Sequence, residues 1–144
     1  MKNAIEYTSF RTTKKKLLAA LKPMYGGEFR LSINPIVASI RKTEIDQVKY
    51  VQYLRSDEVL QFLTEIGEPT EGFGKKVVFE SGRVAKSELL RKIPALDAPT
   101  YRNQTAKVVS FYREMDINKA SRVRWLRNNE ILAFLKALGE PITP

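Results

Sequence analysis

The sequence predicts an α+β, predominantly helical protein built as a tandem duplication of a unit of about 72 residues. Residues 54–69 align with residues 126–141 at an offset of 72, and nine of the sixteen positions are identical. The hydrophobic content of 43% is enough for a folded core. Each half begins with β-branched and aromatic residues and ends with apolar residues at helical spacing. We expect the two units to pack as a pseudo-twofold pair.

The same offset aligns the beginning and the middle of the two halves without a gap. Ser9, Arg11 and Lys14 fall on Ser81, Arg83 and Lys86, and further matches follow towards the end of each unit. A shared register over this length predicts a first repeat at residues 1–71, a linker at 72–76 and a second repeat at 77–144. The linker is suggested by its glycines and lysines.

Each repeat is expected to contain a short strand followed by about four helices. The strands are predicted at residues 4–7 and 76–79, and the first helices at 12–21 and 84–93. Residues 22–34 and 94–106 contain most of the prolines and glycines and are predicted as loops, with a possible strand at 28–31. Residues 35–42 and 104–114 suit a helix, although the β-branched and aromatic run near residue 110 also suits a strand.

Two more helices are predicted in each repeat. The third covers residues 46–55 and 118–127, and the fourth follows Ser56 and Asn128, which are residue types typical of an N-cap. Gly67 and Gly139 are expected to end the fourth helices in the left-handed conformation, because a proline follows two residues later. The apolar residues of these last helices are predicted to form the core.

The composition excludes several classes of chemistry. The chain contains no cysteine and no histidine, so disulfides, cysteine-based zinc sites, thiolate nucleophiles and histidine-based catalysis are absent. We therefore expect a non-enzymatic protein without a cofactor or metal. No apolar run is long enough to span a membrane, and the N-terminus lacks the pattern of a signal peptide, so a cytoplasmic protein is expected.

The charge favours a polyanionic partner. The net charge is +9 and the pI is about 9.8, which is typical of a small domain that binds nucleic acid. The charge is uneven, because residues 1–72 carry a net +2 and residues 73–144 a net +7. A small DNA-binding regulator of transcription is the favoured interpretation. Two alternatives stay open: a phage- or plasmid-type inhibitor that binds an acidic protein, and an RNA-binding protein in which Tyr50, Tyr53, Tyr101 and Trp125 stack on bases.

The sharpest difference between the repeats lies in the third predicted helix. Gln47, Tyr50 and Gln52 are replaced in the second repeat by Lys119, Arg122 and Arg124. Residues 104–125 resemble the helix-turn-helix of small phage-type activators and repressors, although Met115 and Asp116 stand where a glycine is usual. The resemblance implies a recognition helix that contacts DNA. Its candidate residues are Lys119, Ser121, Arg122, Arg124 and Trp125, the last either stacking on a base or replacing a core tyrosine.

Further contacts to phosphate are predicted elsewhere in the second repeat. The candidates are Lys75, Lys76, Arg83, Lys86 and Arg113. Arg83 belongs to a Ser-x-Arg pair, Ser81 and Arg83, placed before a predicted helix N-terminus, where backbone N–H groups bind anions. Arg127 is instead expected to form an ion pair with Glu130 within the helix, as Arg55 does with Glu58 in the first repeat.

Overall fold

The structure is a computed structural model that describes residues 4–80 and 83–142. Within these residues the fold is α+β, 55% helical, with eight helices and short antiparallel sheets of two strands. In chain order the elements are β1 (Ile5–Ser9), β2 (Thr12–Thr13), α1 (Lys14–Ala20), α2 (Gly26–Arg41), α3 (Ile45–Val48), β3 (Tyr53–Leu54), α4 (Ser56–Ile66), β4 (Lys75–Phe79), β5 (Arg83–Ala85), α5 (Lys86–Lys92), α6 (Ala98–Arg113), α7 (Ile117–Ala120), β6 (Trp125–Arg127) and α8 (Asn128–Ala137).

The chain divides into two compact units whose boundaries differ from those predicted. The central unit is Phe10–Gly74, and the composite unit contains the described residues of Met1–Ser9 and Lys75–Pro144. Strand β1 therefore belongs to the same unit as the described residues from Lys75 onwards. Strand β4 begins at Lys75, so the last two residues of the predicted linker are part of a sheet.

The central unit is built around helices α2 and α4. The two helices contact each other through Phe29 of α2 and Phe62 of α4, whose ring centroids are 5.3 Å apart in an edge-to-face arrangement. Strand β2 pairs with β3, which places Thr12 opposite Leu54 and Thr13 opposite Tyr53. Leu54 is fully buried, so this small sheet closes one side of the core. The remaining core residues are Leu17, Leu21, Ile33, Ile36, Val37, Ala38, Val48, Val59 and Leu63.

The composite unit has its own core. Strands β1 and β4 pair antiparallel, with Ile5 opposite Phe79 and Tyr7 opposite Val77, and these four side chains are buried. The intervening residues point away, as the two-residue period of a strand requires. Helices α6 and α8 contribute Tyr101 and Phe134, whose ring centroids are 6.3 Å apart. The other buried apolar residues are Val84, Leu89, Ile93, Val108, Val109, Ala120, Leu126, Ile131, Leu135 and Leu138.

Several predictions about local structure are confirmed. Both strands expected at the start of the predicted repeats are present, and helices occur at residues 35–41 and 104–113, where a strand was the alternative. Gly67 and Gly139 have φ angles of 75° and 78°, the left-handed conformation expected after the last helices. The apolar residues of α4 and α8 are core residues as predicted.

The predicted loops at 22–34 and 94–106 are wrong over most of their length, and only residues 22–25 and 94–97 lie outside helices and strands. Residues 26–34 and 98–106 are the first halves of the long helices α2 and α6, and the suggested strand at residues 28–31 is helical. Proline and glycine suggested loops here, but several of these residues lie at the starts of helices, where both types are tolerated. Pro99 and the Gly26–Gly27 pair occupy the first turns of their helices, where backbone N–H groups need no partner within the helix. Asp97 caps α6 by accepting from the Thr100 N–H at 3.2 Å.

The third predicted helices are also wrong. Only Ile45–Val48 and Ile117–Ala120 are helical, and the chain then turns and enters β3 or β6. The competing interaction is a strand pairing with a distant segment. The N–H of Lys14 donates to the Gln52 carbonyl, and the N–H of Lys86 donates to the Arg124 carbonyl, each at 2.9 Å. A helical course through residues 122–125 would break this pairing.

The predicted N-caps are displaced by one residue. Arg55 and Arg127 occupy the caps, and Glu58 and Glu130 each accept a hydrogen bond from the cap N–H, at 2.8 and 2.7 Å. Ser56 is the first residue of α4, and its hydroxyl accepts from the Phe10 N–H at 2.8 Å. The serine therefore holds the strand segment before α1 against the start of α4.

Candidate nucleic-acid interface

All ten predicted contact residues lie in the composite unit. Five of them fall on one continuous stretch, residues 117–127, which we call the basic segment. Lys119 lies in α7, Ser121 and Arg122 form the turn after it, Arg124 precedes β6, and Trp125 begins it. The side chains of these five residues are exposed. The structure thus keeps them on the surface but replaces the predicted recognition helix with one helical turn, a loop and a strand.

The pairing of β5 with β6 defines an outer face. Arg83 lies opposite Arg127, Val84 opposite Leu126, and Ala85 opposite Trp125. Val84 and Leu126 are 1% and 0% exposed and face the core. Because side chains alternate along a strand, Arg83, Trp125 and Arg127 share the opposite face. This surface of one aromatic ring and two arginines is called the β5–β6 face below.

Two arginines contact the ring of Trp125. The guanidinium carbon of Arg113 lies 4.7 Å from the indole centroid, and that of Arg83 lies 5.7 Å away. Such cation–π contacts hold the ring in place, and 37% of the tryptophan remains exposed. Trp125 therefore belongs to the surface and is not the core replacement that the sequence also allowed.

Arg113 is a structural residue, which the sequence did not indicate. Its Nε donates to Glu130 Oε2 at 2.8 Å, and its Nη2 donates to Glu130 Oε1 at 2.9 Å and to the Trp125 carbonyl at 3.1 Å. The Arg113 side chain is only 11% exposed. Hydrogen bonding to Glu130 raises the pKa of Arg113 above its usual value. Since its charge is neutralised by Glu130, Arg113 is not available to phosphate.

The same ion pair corrects a second prediction. Burial alone would raise the pKa of Glu130, but hydrogen bonds from Arg113 and from the Arg127 backbone outweigh it and hold the pKa below its usual value. The partner of Glu130 is therefore Arg113 and not the side chain of Arg127. In the central unit Glu58 likewise forms its ion pair with Arg41, at 2.7 Å, and not with the side chain of Arg55.

Lys86 forms hydrogen bonds with the backbone of the basic segment. Its Nζ donates to the carbonyls of Ala120 and Ser121, at 3.4 and 3.2 Å, which are the last acceptors of the short helix α7. Burial and the nearby charge of Arg113 lower the pKa of Lys86. Lys86 is thus half-buried and holds the turn in place, so it contributes less to an exposed charge than predicted.

Lys75 and Lys76 lie on β4, beside a separate basic groove. The groove has a volume of about 340 Å³ and is also lined by Arg91 and Lys92 of α5, two residues that the sequence did not single out. Part of the charge is neutralised: Lys76 forms an ion pair with Glu6, and Lys92 contacts Glu88 at 3.1 Å. The groove therefore offers less unpaired charge than the basic segment does.

Four arginines and lysines of the basic segment have no acidic partner among the described residues. Within residues 4–80 and 83–142, none of them forms an ion pair with an acidic side chain. They are Lys119, Arg122, Arg124 and Arg127. Arg127 was missed because the sequence offered Glu130 as its partner. The corresponding residues of the central unit are Gln47, Tyr50, Gln52 and Arg55.

Other residues considered from the sequence are placed less favourably. Arg11, the counterpart of Arg83, is 6% exposed, and Tyr101 is 9% exposed, so neither side chain is accessible to a bound nucleic acid. Tyr50 and Tyr53 are exposed, at 79% and 42%. Ser81 lies outside the described residues.

Comparisons with known proteins give no family for this chain. No family model, curated protein or solved structure matches it. Across the described parts of the chain, no helix has both the length and the apolar character needed to cross a bilayer. In the same residues, no group of three or more acidic side chains is placed to hold a metal ion.

Proposed function

We propose that this chain binds nucleic acid through the basic segment and the β5–β6 face of the composite unit. We also infer that the chain arose by duplication, and that the second copy carries the binding surface. Equivalent features at a spacing of 72 residues support the duplication. They include the ion pairs Arg41–Glu58 and Arg113–Glu130, and the left-handed residues Lys42 and Glu114.

The observation that carries the proposal is the set of unpaired cations around Trp125. Lys119, Arg122, Arg124 and Arg127 lie within nine consecutive residues, are exposed, and have no acidic partner in the described chain. Holding like charges this close is unfavourable unless an anion binds them. Phosphate groups along a nucleic-acid backbone supply closely spaced negative charge, and arginine binds them with two parallel hydrogen bonds.

The mode of binding differs from the one predicted from the sequence. A recognition helix must be long enough to lie in the major groove, but α7 contains only four residues. The basic segment presents its charges from a turn and a strand. We therefore assign the main contacts to the sugar-phosphate backbone, and a role in regulating transcription remains part of the proposal without a base-reading helix.

A binding titration with a matched charge control tests the proposal. The variant Lys119→Gln/Arg122→Gln/Arg124→Gln removes three charges from the basic segment. The control Lys15→Gln/Lys16→Gln/Lys22→Gln removes three exposed charges from the central unit. Fluorescence anisotropy with labelled duplex DNA, single-stranded DNA and RNA is measured over a range of salt concentrations.

We expect the basic-segment variant to lose affinity by at least about tenfold and the slope of log affinity against log salt to fall by about 2 to 3. The control should change both quantities much less. An equal loss in both variants would show that only net charge matters. Absence of binding to all three probes at low salt would reject the proposal and favour the acidic protein partner considered from the sequence.

A further inference from the structure

We infer that the nucleic acid bound by this chain is single-stranded, and that an unpaired base stacks on Trp125. This inference rests on the proposed function and specifies its ligand. A duplex keeps the faces of its bases inside the helix, so a side chain can stack only on bases that are unpaired or at an end. The structure places an exposed indole, held by Arg113, within the stretch of chain that carries the unpaired positive charge.

The rigidity of Trp125 comes from three interactions. Its backbone pairs with Ala85 in the β5–β6 ladder. Its carbonyl accepts a hydrogen bond from Arg113, and the same guanidinium lies 4.7 Å from the indole centroid. Arg113 is itself fixed by the buried carboxylate of Glu130, whose side chain is 0% exposed. An aromatic ring ordered before binding loses little conformational entropy when a base stacks on it.

The charges around the ring match the parts of a nucleotide. Arg124 precedes Trp125 in the chain, and Arg127 lies two residues further along on the same face of β6. A base stacked on the indole therefore lies on the face of β6 that also carries Arg127, with Arg124 as the neighbour before Trp125 in the chain. Arg83 is exposed and lies 5.7 Å from the centroid, further than the anchored Arg113. We assign the exposed part of the ring, away from the anchored Arg113, to the base.

The equivalent position of the central unit lacks this arrangement. Tyr53 replaces Trp125 and is 42% exposed, and Arg41 donates to its carbonyl at 2.9 Å. However, Thr13 stands opposite it, its preceding neighbour is Gln52, and Arg11 is buried. Tyr53 therefore provides an internal control: an exposed aromatic ring that keeps Arg55, the counterpart of Arg127, but has no counterparts of the charges at Lys119, Arg122 and Arg124.

Intrinsic fluorescence tests the inference directly, because Trp125 is the single tryptophan of the chain. The full-length protein is titrated with a short oligothymidylate and with a hairpin duplex of equal charge. We expect the oligothymidylate to quench the emission to saturation, with the same midpoint as anisotropy, and the duplex to leave it nearly unchanged. This measurement needs no variant, so it does not depend on how a mutation affects folding.

Variants then measure the contribution of the ring. Trp125→Ala should weaken binding of oligothymidylate by about tenfold, Trp125→Phe should restore most of the affinity, and Tyr53→Ala should leave it unchanged. Binding of single strands without a change in emission, and with full affinity in Trp125→Ala, would overturn the stacking inference while the proposed function stands. Binding to duplex alone would overturn it as well. Failure of every probe in anisotropy would instead overturn the proposed function.

Discussion

The central and composite units use the same buried polar contacts but present different surfaces. In both, an arginine at the end of the long helix binds a fully buried glutamate and the backbone of the strand that follows the short helix. The exposed positions between these contacts have diverged: Gln47, Tyr50 and Gln52 correspond to Lys119, Arg122 and Arg124. The contacts that hold the segment are separate from the side chains it displays. A binding surface can therefore change without loss of the fold.

A smaller difference concerns the buried lysine at the start of α1 and α5. Lys14 donates to the Asn34 side chain at 2.8 Å and to the Val48 carbonyl at 3.1 Å, and it is 9% exposed. Lys86 makes the equivalent carbonyl contacts, but position 106 is an alanine, so the side-chain acceptor is missing. The lysine is thus held more tightly in the central unit.

The largest expected effect is the loss of a buried ion pair. Glu130→Gln should reduce the free energy of unfolding of the composite unit by about 4 kcal/mol, and Glu58→Gln that of the central unit by about 3 kcal/mol. The first effect is larger because Arg113 is 11% exposed and Arg41 is 23% exposed, so Arg41 recovers more hydration. Urea denaturation combined with hydrogen exchange resolves the two units. Glu88→Gln, at an exposed pair, should cost less than about 1 kcal/mol.

The second effect tests the assignment of β1. Ile5→Ala should destabilise the composite unit by about 3 kcal/mol, because Ile5 is 6% exposed and packs in that core. Hydrogen exchange should show lost protection in residues 75–142 and unchanged protection in residues 10–74. The opposite pattern would mean that β1 belongs with the first repeat in solution, as the predicted boundaries had it.

The third effect compares the two lysines. Lys14→Met should cost about 2 kcal/mol, since it removes the donor to the Asn34 side chain and one donor to each of two carbonyls, and Lys86→Met should cost about 1 kcal/mol. Thermal or urea denaturation measures both. Equal losses would show that the Asn34 contact adds nothing to the difference between the units.

The smallest effect is a dependence on pH. Because the pKa of Glu130 is lowered in the folded state, its contribution to stability is fully present above the usual carboxyl range. It is lost as the pH falls through the lowered pKa. The stability difference between the wild type and Glu130→Gln should therefore narrow as the pH falls below about 4. A difference that stays constant down to the acid unfolding transition would contradict the ion-pair account.

Local patterns predicted the parts of the fold that depend on neighbours in the sequence. Helices α4 and α8 follow from apolar spacing and from Gly67 and Gly139, which all act within a few residues. The segment after α7 was wrongly predicted to be helical, because no glycine or proline at residues 119–125 indicates that a helix ends there. Its strand conformation depends on pairing with β5, about forty residues earlier in the chain, which no local pattern reveals.

The candidate site was predicted in part for the same reason. The exposed cations of the basic segment were found from charge alone, since few acids accompany them in the sequence. Arg113 was misassigned because its partner Glu130 is seventeen residues away, and Arg127 was missed because Glu130 is three residues away. Only the tertiary contacts distinguish an arginine bound to a buried carboxylate, such as Arg113, from one that is exposed without an acidic partner, such as Arg127.

The position of β1 affects how the protein is made. Ile5 and Tyr7 are synthesised before the central unit, but their partners Phe79 and Val77 are synthesised only after it. During translation the first strand therefore has an apolar face and an unpaired edge, and such edges pair with other chains.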